Sequence, residues 1–165
     1  MNSDVNRLLS IINGQKLQYI NRTCDMVYIG FGDIFSRKNA RGQLVYCASY
    51  ALHLQCPFRI IKRDRVVVGS NDLFLSLSPE NEAVDLSTKD STQFDYKIKK
   101  LFQINNDIYV CKSKVTAMGD VELSCNLFDI QVLNVNSNGD ESWRFFRVNS
   151  QERHLVATGL GIDLE

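Results

Sequence analysis

Apolar residues recur at helical spacing near the start of the chain. Four of them occupy positions i, i+3, i+4 and i+7 and would share one helix face: Val5, Leu8, Leu9 and Ile12. Ser3 or Asp4 suits the N-cap, and Gly14 suits a left-handed C-terminal cap. A second helical pattern, with lysines between its apolar positions, comprises Phe94, Ile98, Leu101 and Phe102. We therefore predict two helices, the second with buried aromatic residues and exposed lysines.

Residues 44–55 alternate in a way that favours a strand. One face of an extended chain would carry Leu44, Tyr46, Ala48, Tyr50, Leu52 and Leu54, and the other Val45, Cys47, Ser49, Ala51, His53 and Gln55. A helical stripe also runs through this segment, so periodicity alone leaves both structures open. The strand is favoured because six even positions form an unbroken row and because tyrosine suits a sheet.

Most of the remaining chain also has strand character. Residues 58–75 predict a hairpin whose charged tip runs from Lys62 to Arg65, followed by a turn at Gly69 to Asp72. Residues 36–43 form a polar, basic connector, and residues 77–92 a long polar, acidic surface loop. The whole predicts one α+β domain over residues 1–165. It would be a mainly antiparallel sheet or partly closed barrel of about eight or nine strands, with two helices packed on it.

The composition is that of a globular protein with no net charge. Nineteen basic residues balance 19 acidic ones, which argues against a general polyanion binder because such proteins need excess cations. No apolar run approaches the ~20 residues of a membrane span. The N-terminal residues lack the apolar stretch of a signal peptide, so we expect a cytoplasmic protein that does not bind membranes.

The cysteines and histidines do not have the spacing of a metal site. The five cysteines include no C-x-x-C pair, and on a strand His53 and Cys56 would point to opposite faces. A catalytic pair of Cys56 with His154, oriented by Asp33 or Asp72, is the alternative, but no recognised nucleophile motif surrounds the cysteine. We predict no catalytic residue, no metal and no cofactor.

Two glycine-containing stretches and one aromatic strand complete the inventory of candidates. Residues 30–33 and 159–163 match no phosphate-binding loop and predict bulges or close backbone approaches. Residues 143–147 predict an interior strand with aromatic side chains on both faces. A buried arginine on that strand would need an acidic partner, for which the candidates are Asp33, Asp72 and Asp129.

Charge is segregated along the chain. Residues 1–65 carry +6, residues 66–96 carry −5, residues 97–116 carry +4 and residues 117–165 carry −5. Such blocks either neutralise each other across the fold or leave patches that orient a partner. The candidate interaction patch consists of Lys62, Arg63, Arg65, Glu80, Glu82 and Asp85.

Three hypotheses about function follow from these patterns. The first is a non-catalytic module that binds another protein as a partner or inhibitor through a charged face. The second is a ligand-binding barrel or enzyme whose pocket is formed by Tyr46, Tyr50, His53, Arg59 and Asp72. The third is a weak single-strand nucleic-acid binder, because seven cations lie near aromatic residues: Arg37, Lys38, Arg41, Arg59, Lys62, Arg63 and Arg65. The zero net charge argues against this third hypothesis.

Overall fold

In the computed structural model, the described residues form eleven strands in two antiparallel sheets that share one hydrophobic core. The structure describes residues 2–78, 84–104 and 107–165. The strands are β1 (Leu17–Thr23), β2 (Met26–Lys38), β3 (Leu44–Leu54), β4 (Phe58–Lys62), β5 (Arg65–Gly69), β6 (Val110–Val115), β7 (Val121–Cys125), β8 (Asp129–Val132), β9 (Glu141–Arg147), β10 (Leu155–Thr158) and β11 (Gly161–Leu164). The helices are α1 (Asn2–Leu9) and α2 (Gln93–Ile104), and short 3₁₀ turns cover Ser10–Ile12 and Ser70–Phe74.

Neither sheet closes on itself within the described residues. The six-stranded sheet has the order β1-β2-β3-β9-β10-β11, and the five-stranded sheet has the order β5-β4-β8-β7-β6. The α+β class and the antiparallel pairing are confirmed. The barrel is not observed, and the strands are more numerous than expected because short strands β8, β10 and β11 follow turns within segments that looked continuous in sequence.

The alternation predicted for residues 44–55 is present in β3. Leu52 and Leu54 are fully buried in the core, whereas His53 points to the opposite face of the sheet and is half-buried. The predicted hairpin is also present: β4 pairs with β5, and Arg63 and Asp64 adopt the positive φ angles of a two-residue turn. The prediction of a strand rather than a helix for residues 44–55 is therefore confirmed.

Both predicted helices are present, but α1 ends at Leu9 and a 3₁₀ turn covers Ser10–Ile12. Helix α1 already includes Asn2, so Ser3 and Asp4 lie inside it and do not cap it. Helix α2 begins after a reciprocal cap, in which Thr92 Oγ1 accepts the Asp95 N–H at 3.2 Å and Asp95 Oδ2 accepts the Thr92 N–H at 3.1 Å. This capping box is readable in the sequence as T-x-x-D.

The glycine-containing stretch at residues 30–33 contains a bulge, as predicted. The register between β2 and β3 shifts between Phe31 and Ile34, which is a β-bulge. The Tyr19 ring lies directly over Gly30, where a Cβ atom would overlap it, and its hydroxyl accepts the Ala48 N–H at 3.1 Å. The bulge thus exposes a main-chain donor that a side chain from β1 satisfies.

Candidate interaction surface on the β2–β3 hairpin

Three of the predicted pocket residues lie on β3 but do not face one space. Tyr46 is 70% exposed, near the start of the strand. The Tyr50 ring stacks on Phe145 on the core side, with centroids 6.0 Å apart, whereas His53 lies on the opposite face.

The other two predicted pocket residues are engaged elsewhere. Arg59, on β4 of the five-stranded sheet, donates to Gln131 Oε1 at 2.7 Å. Asp72 is buried in the second 3₁₀ turn, where it accepts the Gly69 N–H at 2.9 Å and pairs with Lys97 at 2.7 Å. Five cavities of about 170 to 510 Å³ lined by described residues include none of the five predicted residues in their walls.

The predicted interaction patch is only partly within the described residues. Arg63 and Arg65 are exposed at the β4–β5 tip, and Lys62 is half-buried beside them. Glu80 and Glu82 lie outside the described residues. Asp85 accepts hydrogen bonds from its neighbours, first from the Ser87 hydroxyl, and these bonds lower the pKa of Asp85. The patch therefore stays a prediction.

The surroundings of His53 and Cys56 shift the pKa values of both side chains. His53 sits between the rings of Tyr28 and Phe146, and its burial lowers the pKa of its imidazole. Burial raises the pKa of the Cys56 thiol to about 12, which keeps it protonated and a poor nucleophile. Across residues 2–78, 84–104 and 107–165, no group of three His, Cys, Asp or Glu side chains is placed to hold a metal ion.

Arg144, the half-buried arginine of β9, does not pair with any of the three aspartates suggested by the sequence. Its guanidinium bonds Glu141 at 2.8 Å and Glu165 at 3.0 Å, and Nη1 lies 3.2 Å from His154 Nδ1. The His154 ring in turn stacks on Phe146 at 4.6 Å. The strand pairing explains the partners: β10 pairs with β9, and the His154 and Glu165 main chains bond to each other at the adjoining end of β10 and β11.

A cleft of about 320 Å³ beside Arg22 was not anticipated from the sequence. Arg22 binds Asp95 through two bonds, Nε to Oδ1 at 2.8 Å and Nη2 to Oδ2 at 2.7 Å. Its remaining bonds go to the carbonyls of Cys24, Leu86 and Thr88 and to the Ser91 hydroxyl. Because these contacts occupy the guanidinium, Arg22 holds the 86–91 loop against α2 and offers little to a ligand.

The most distinctive exposed element is the distal part of the β2–β3 hairpin, residues 34–48, which we call the arm. β1 pairs with β2 only as far as Phe31, and β9 pairs with residues 50–54 of β3. The arm therefore extends beyond the flanking strands as a ribbon of two, about 15 Å long at ~3.3 Å per residue. Such a ribbon is marginally stable by itself in water.

Hydrogen bonds fix the tip of the arm. The Asn39 N–H donates to the Gln43 carbonyl at 2.9 Å, and Asn39 Oδ1 accepts the N–H groups of Arg41 and Gln43 at 2.9 and 3.0 Å. Gly42 takes the positive φ of 74° that this turn requires. The segment predicted as a connector is thus an ordered hairpin tip, and its Asn-x-x-Gly pattern was the available signal.

The two faces of the arm differ. The face that continues the core side is uncovered, with Ile34 at 45%, Leu44 at 59% and Tyr46 at 70% exposure. The other face carries half-buried Phe35, Val45 and Cys47, and Arg37 Nε lies 3.3 Å from Cys47 Sγ. The arm contains three cations and no acid. It therefore combines exposed apolar area with a local excess of positive charge in its own sequence, as interaction sites do.

No described helix is long and apolar enough to cross a lipid bilayer. Comparison with known proteins adds no relative: no family model, no curated protein and no solved structure matches this chain.

Proposed function

We propose that this protein is a non-catalytic module that binds another protein through the arm. The observation that carries the proposal is the charge and exposure of residues 34–48, where three cations and no acid accompany the exposed side chains of Leu44 and Tyr46. Apolar residues that project from a well-packed sheet are stabilised when a partner buries their exposed surface. Charge complementarity then favours an acidic partner surface.

Nucleic acid is the competing polyanion, and the arm fits it less well. Single-strand binders combine a basic groove with several stacking rings. Tyr46 is the exposed ring on the arm, while Phe35 is half-buried. The apolar side chains of Ile34 and Leu44 have no counterpart in a phosphate backbone. A protein partner uses both features of the arm.

The test begins with immobilised full-length protein and a lysate of cells that naturally express it. Two arm variants, Leu44→Ser/Tyr46→Ser and Lys38→Glu/Arg41→Glu, are compared with wild type by quantitative mass spectrometry. Arg63→Glu/Arg65→Glu serves as the matched charge control and also tests the predicted patch at the β4–β5 tip. We expect a partner that both arm variants lose and that the control retains. Calorimetry with the purified components should reproduce its direct binding.

Several outcomes would overturn the proposal. One is a partner lost only by the Arg63→Glu/Arg65→Glu control, which would make the β4–β5 tip the interface. Another is a fluorescent oligothymidine that binds through Tyr46 with a steep loss of affinity in salt, which would favour nucleic acid. The third is the absence of any captured protein that depends on the arm.

A further inference from the structure

A small cavity lies at the end of the six-stranded sheet that is opposite the arm. It is lined by Met118 of the β6–β7 turn, by Leu160 of the β10–β11 turn and by Val5 of α1, and its volume is about 170 Å³. β9 begins beside this cavity, where Glu141 pairs with Thr158, and it ends before the arm is reached. We call this cavity the end pocket.

The side chains at the rim of the end pocket are apolar and exposed. Met118 and Leu160 are 75% and 78% exposed, more than any other large apolar side chain of the described residues. Apolar area on both sides of a cavity favours an apolar occupant. An apolar cavity of about 150 Å³ accommodates a benzene ring. The end pocket therefore has room for one large side chain, such as that of phenylalanine, leucine or methionine.

Hydrogen bonds hold the two turns at a fixed separation. Asn134 Nδ2 donates to the Met118 carbonyl at 3.0 Å and to the Thr158 carbonyl at 2.9 Å, so one amide joins both turns. The buried Trp143 Nε1 donates to the Gly119 carbonyl at 2.7 Å and fixes the first turn from below. A site that is already formed loses little conformational entropy when it is filled.

Two carboxylates flank the end pocket. Asp120 belongs to the first turn, where its Oδ1 accepts the Asn134 N–H at 2.8 Å. Asp140 adjoins the second turn, because a Cβ atom on Gly139 would lie 3.8 Å from Leu160 Cδ1. Neither carboxylate pairs with a cation of the described chain. Charge complementarity therefore favours an apolar side chain that has a basic residue on each side.

A second copy of the chain is a poorer occupant, although its arm carries the exposed Tyr46 and three cations. Ser36 is the cross-strand partner of Tyr46, so the next residue, Arg37, is directed to the other face of the ribbon. Of the cations on the two strands of the arm, Lys38 alone shares the face of Tyr46. The strands of the arm thus place a cation on only one side of that ring.

We infer that the end pocket is a second docking site, which takes one large apolar side chain with flanking basic residues from a protein partner. The site lies at the opposite end of the sheet from the arm and differs from it in charge. The inference goes beyond the proposed function and does not depend on it.

The first experiment titrates ¹⁵N-labelled full-length protein with a blocked pentapeptide of glycine, lysine, phenylalanine, lysine and glycine, followed by NMR. We expect saturable shifts of the Met118, Gly119 and Leu160 amide signals and little change in residues 34–48. Alanine in place of phenylalanine should weaken binding at least about tenfold, because the ring supplies most of the buried apolar area. Glutamate in place of both lysines should weaken it at least about tenfold, because like charges then meet.

Variants of the protein locate the site. Ala117→Trp fills the end pocket from an exposed position of its lining and should weaken binding at least about tenfold, whereas Ala117→Ser should bind within about twofold of wild type. Met118→Ser/Leu160→Ser removes the apolar rim and makes the same test if Ala117→Trp does not fold. Val66→Ser removes an exposed apolar side chain from the far edge of the five-stranded sheet and should have no effect.

Each contrary outcome overturns a stated part of the inference. Peptide binding that survives Ala117→Trp, or no binding at all, overturns the end pocket as a docking site. Equal affinity for the phenylalanine and alanine peptides overturns the apolar anchor, and equal affinity for the lysine and glutamate peptides overturns the basic flanks. A dimer in sedimentation that Ala117→Trp and Tyr46→Ser both dissociate would show that a second copy occupies the pocket. Capture by the arm variants tests the proposed function separately.

Discussion

Arg22 and Asp95 form a two-bonded ion pair between β1 and the first turn of α2, although 73 positions separate them in sequence. Their side chains are only 5% and 13% exposed. The same guanidinium holds the carbonyls of Leu86 and Thr88, so one side chain ties the loop, the helix cap and the edge strand together.

Replacement of Arg22 by alanine should destabilise the fold strongly. The change leaves a nearly buried carboxylate without its partner and frees the loop carbonyls, so we expect a loss of about 3–5 kcal/mol in unfolding free energy. Urea unfolding measures it. Lys114→Ala, which breaks an exposed pair with Glu122 at 3.7 Å, is the matched control and should cost less than about 1 kcal/mol. Equal losses in the two variants would contradict this role for Arg22.

Acid should weaken the protein partly through Asp95. Burial by itself raises the pKa of Asp95, but hydrogen bonds from Arg22 and Thr92 and the charge of Arg22 outweigh it and lower the pKa. The stability that ionised Asp95 contributes is therefore complete above the unfolded value of about 3.9 and is lost as pH falls through the folded pKa. Asp95→Asn should lose less stability than wild type between about pH 4 and pH 2. If the unfolding free energies of the two proteins fall equally with pH between about pH 4 and pH 2, the prediction is refuted.

His53 should act in a separate and higher pH range. Burial, with the nearby charges of Arg144 and His154, lowers the pKa of His53 despite the opposing effect of Glu141. Its contribution to stability is complete above the unfolded value of about 6.5 and is lost as pH falls toward the folded pKa. His53→Phe keeps a ring beside Phe146 and should remove this part of the pH dependence. An NMR titration midpoint for His53 at or above 6.5 would disprove it.

Gly30→Ala should cost stability because the new methyl group overlaps the Tyr19 ring. Displacing that ring also breaks the bond from the Ala48 N–H. We expect a loss of about 1–3 kcal/mol in unfolding free energy. Gly139→Ala, whose Cβ meets nothing closer than Leu160 Cδ1 at 3.8 Å, is the control and should change little. In a Tyr19→Ala background the cost of Gly30→Ala should shrink, and a cost that stays constant would rule out the overlap.

The five thiols should differ in reactivity according to burial. Burial raises the pKa of both Cys56 and Cys125 to about 12, whereas Cys24 and Cys111 are exposed. Since the thiolate is the nucleophile, iodoacetamide at about pH 8 should alkylate Cys24 and Cys111 at least about tenfold faster. Peptide mass spectrometry over a time course resolves the order. All five should react alike in urea, and fast labelling of native Cys56 would contradict its burial.

Local patterns in the sequence were sufficient to predict most helices and strands of this fold. The alternation of residues 44–55 predicted β3 and the side to which His53 points, and the spacing of Phe94 and Ile98 predicted α2. These predictions succeed because helix and strand periods place near neighbours in sequence on the same face. The sequence predicted a bulge, a bend or a close backbone approach around Gly30, without revealing that the Tyr19 ring lies over it.

Only the tertiary structure decided which elements meet. The division into two sheets, the partners of Arg144, the Arg22–Asp95 pair and the exposure of the arm depend on contacts between residues far apart in the chain. No local period encodes such contacts, because they are set by how complete elements pack and by where a neighbouring strand ends. The positive charge of the arm could be counted directly from the sequence. Its exposure follows only from the point at which β9 stops.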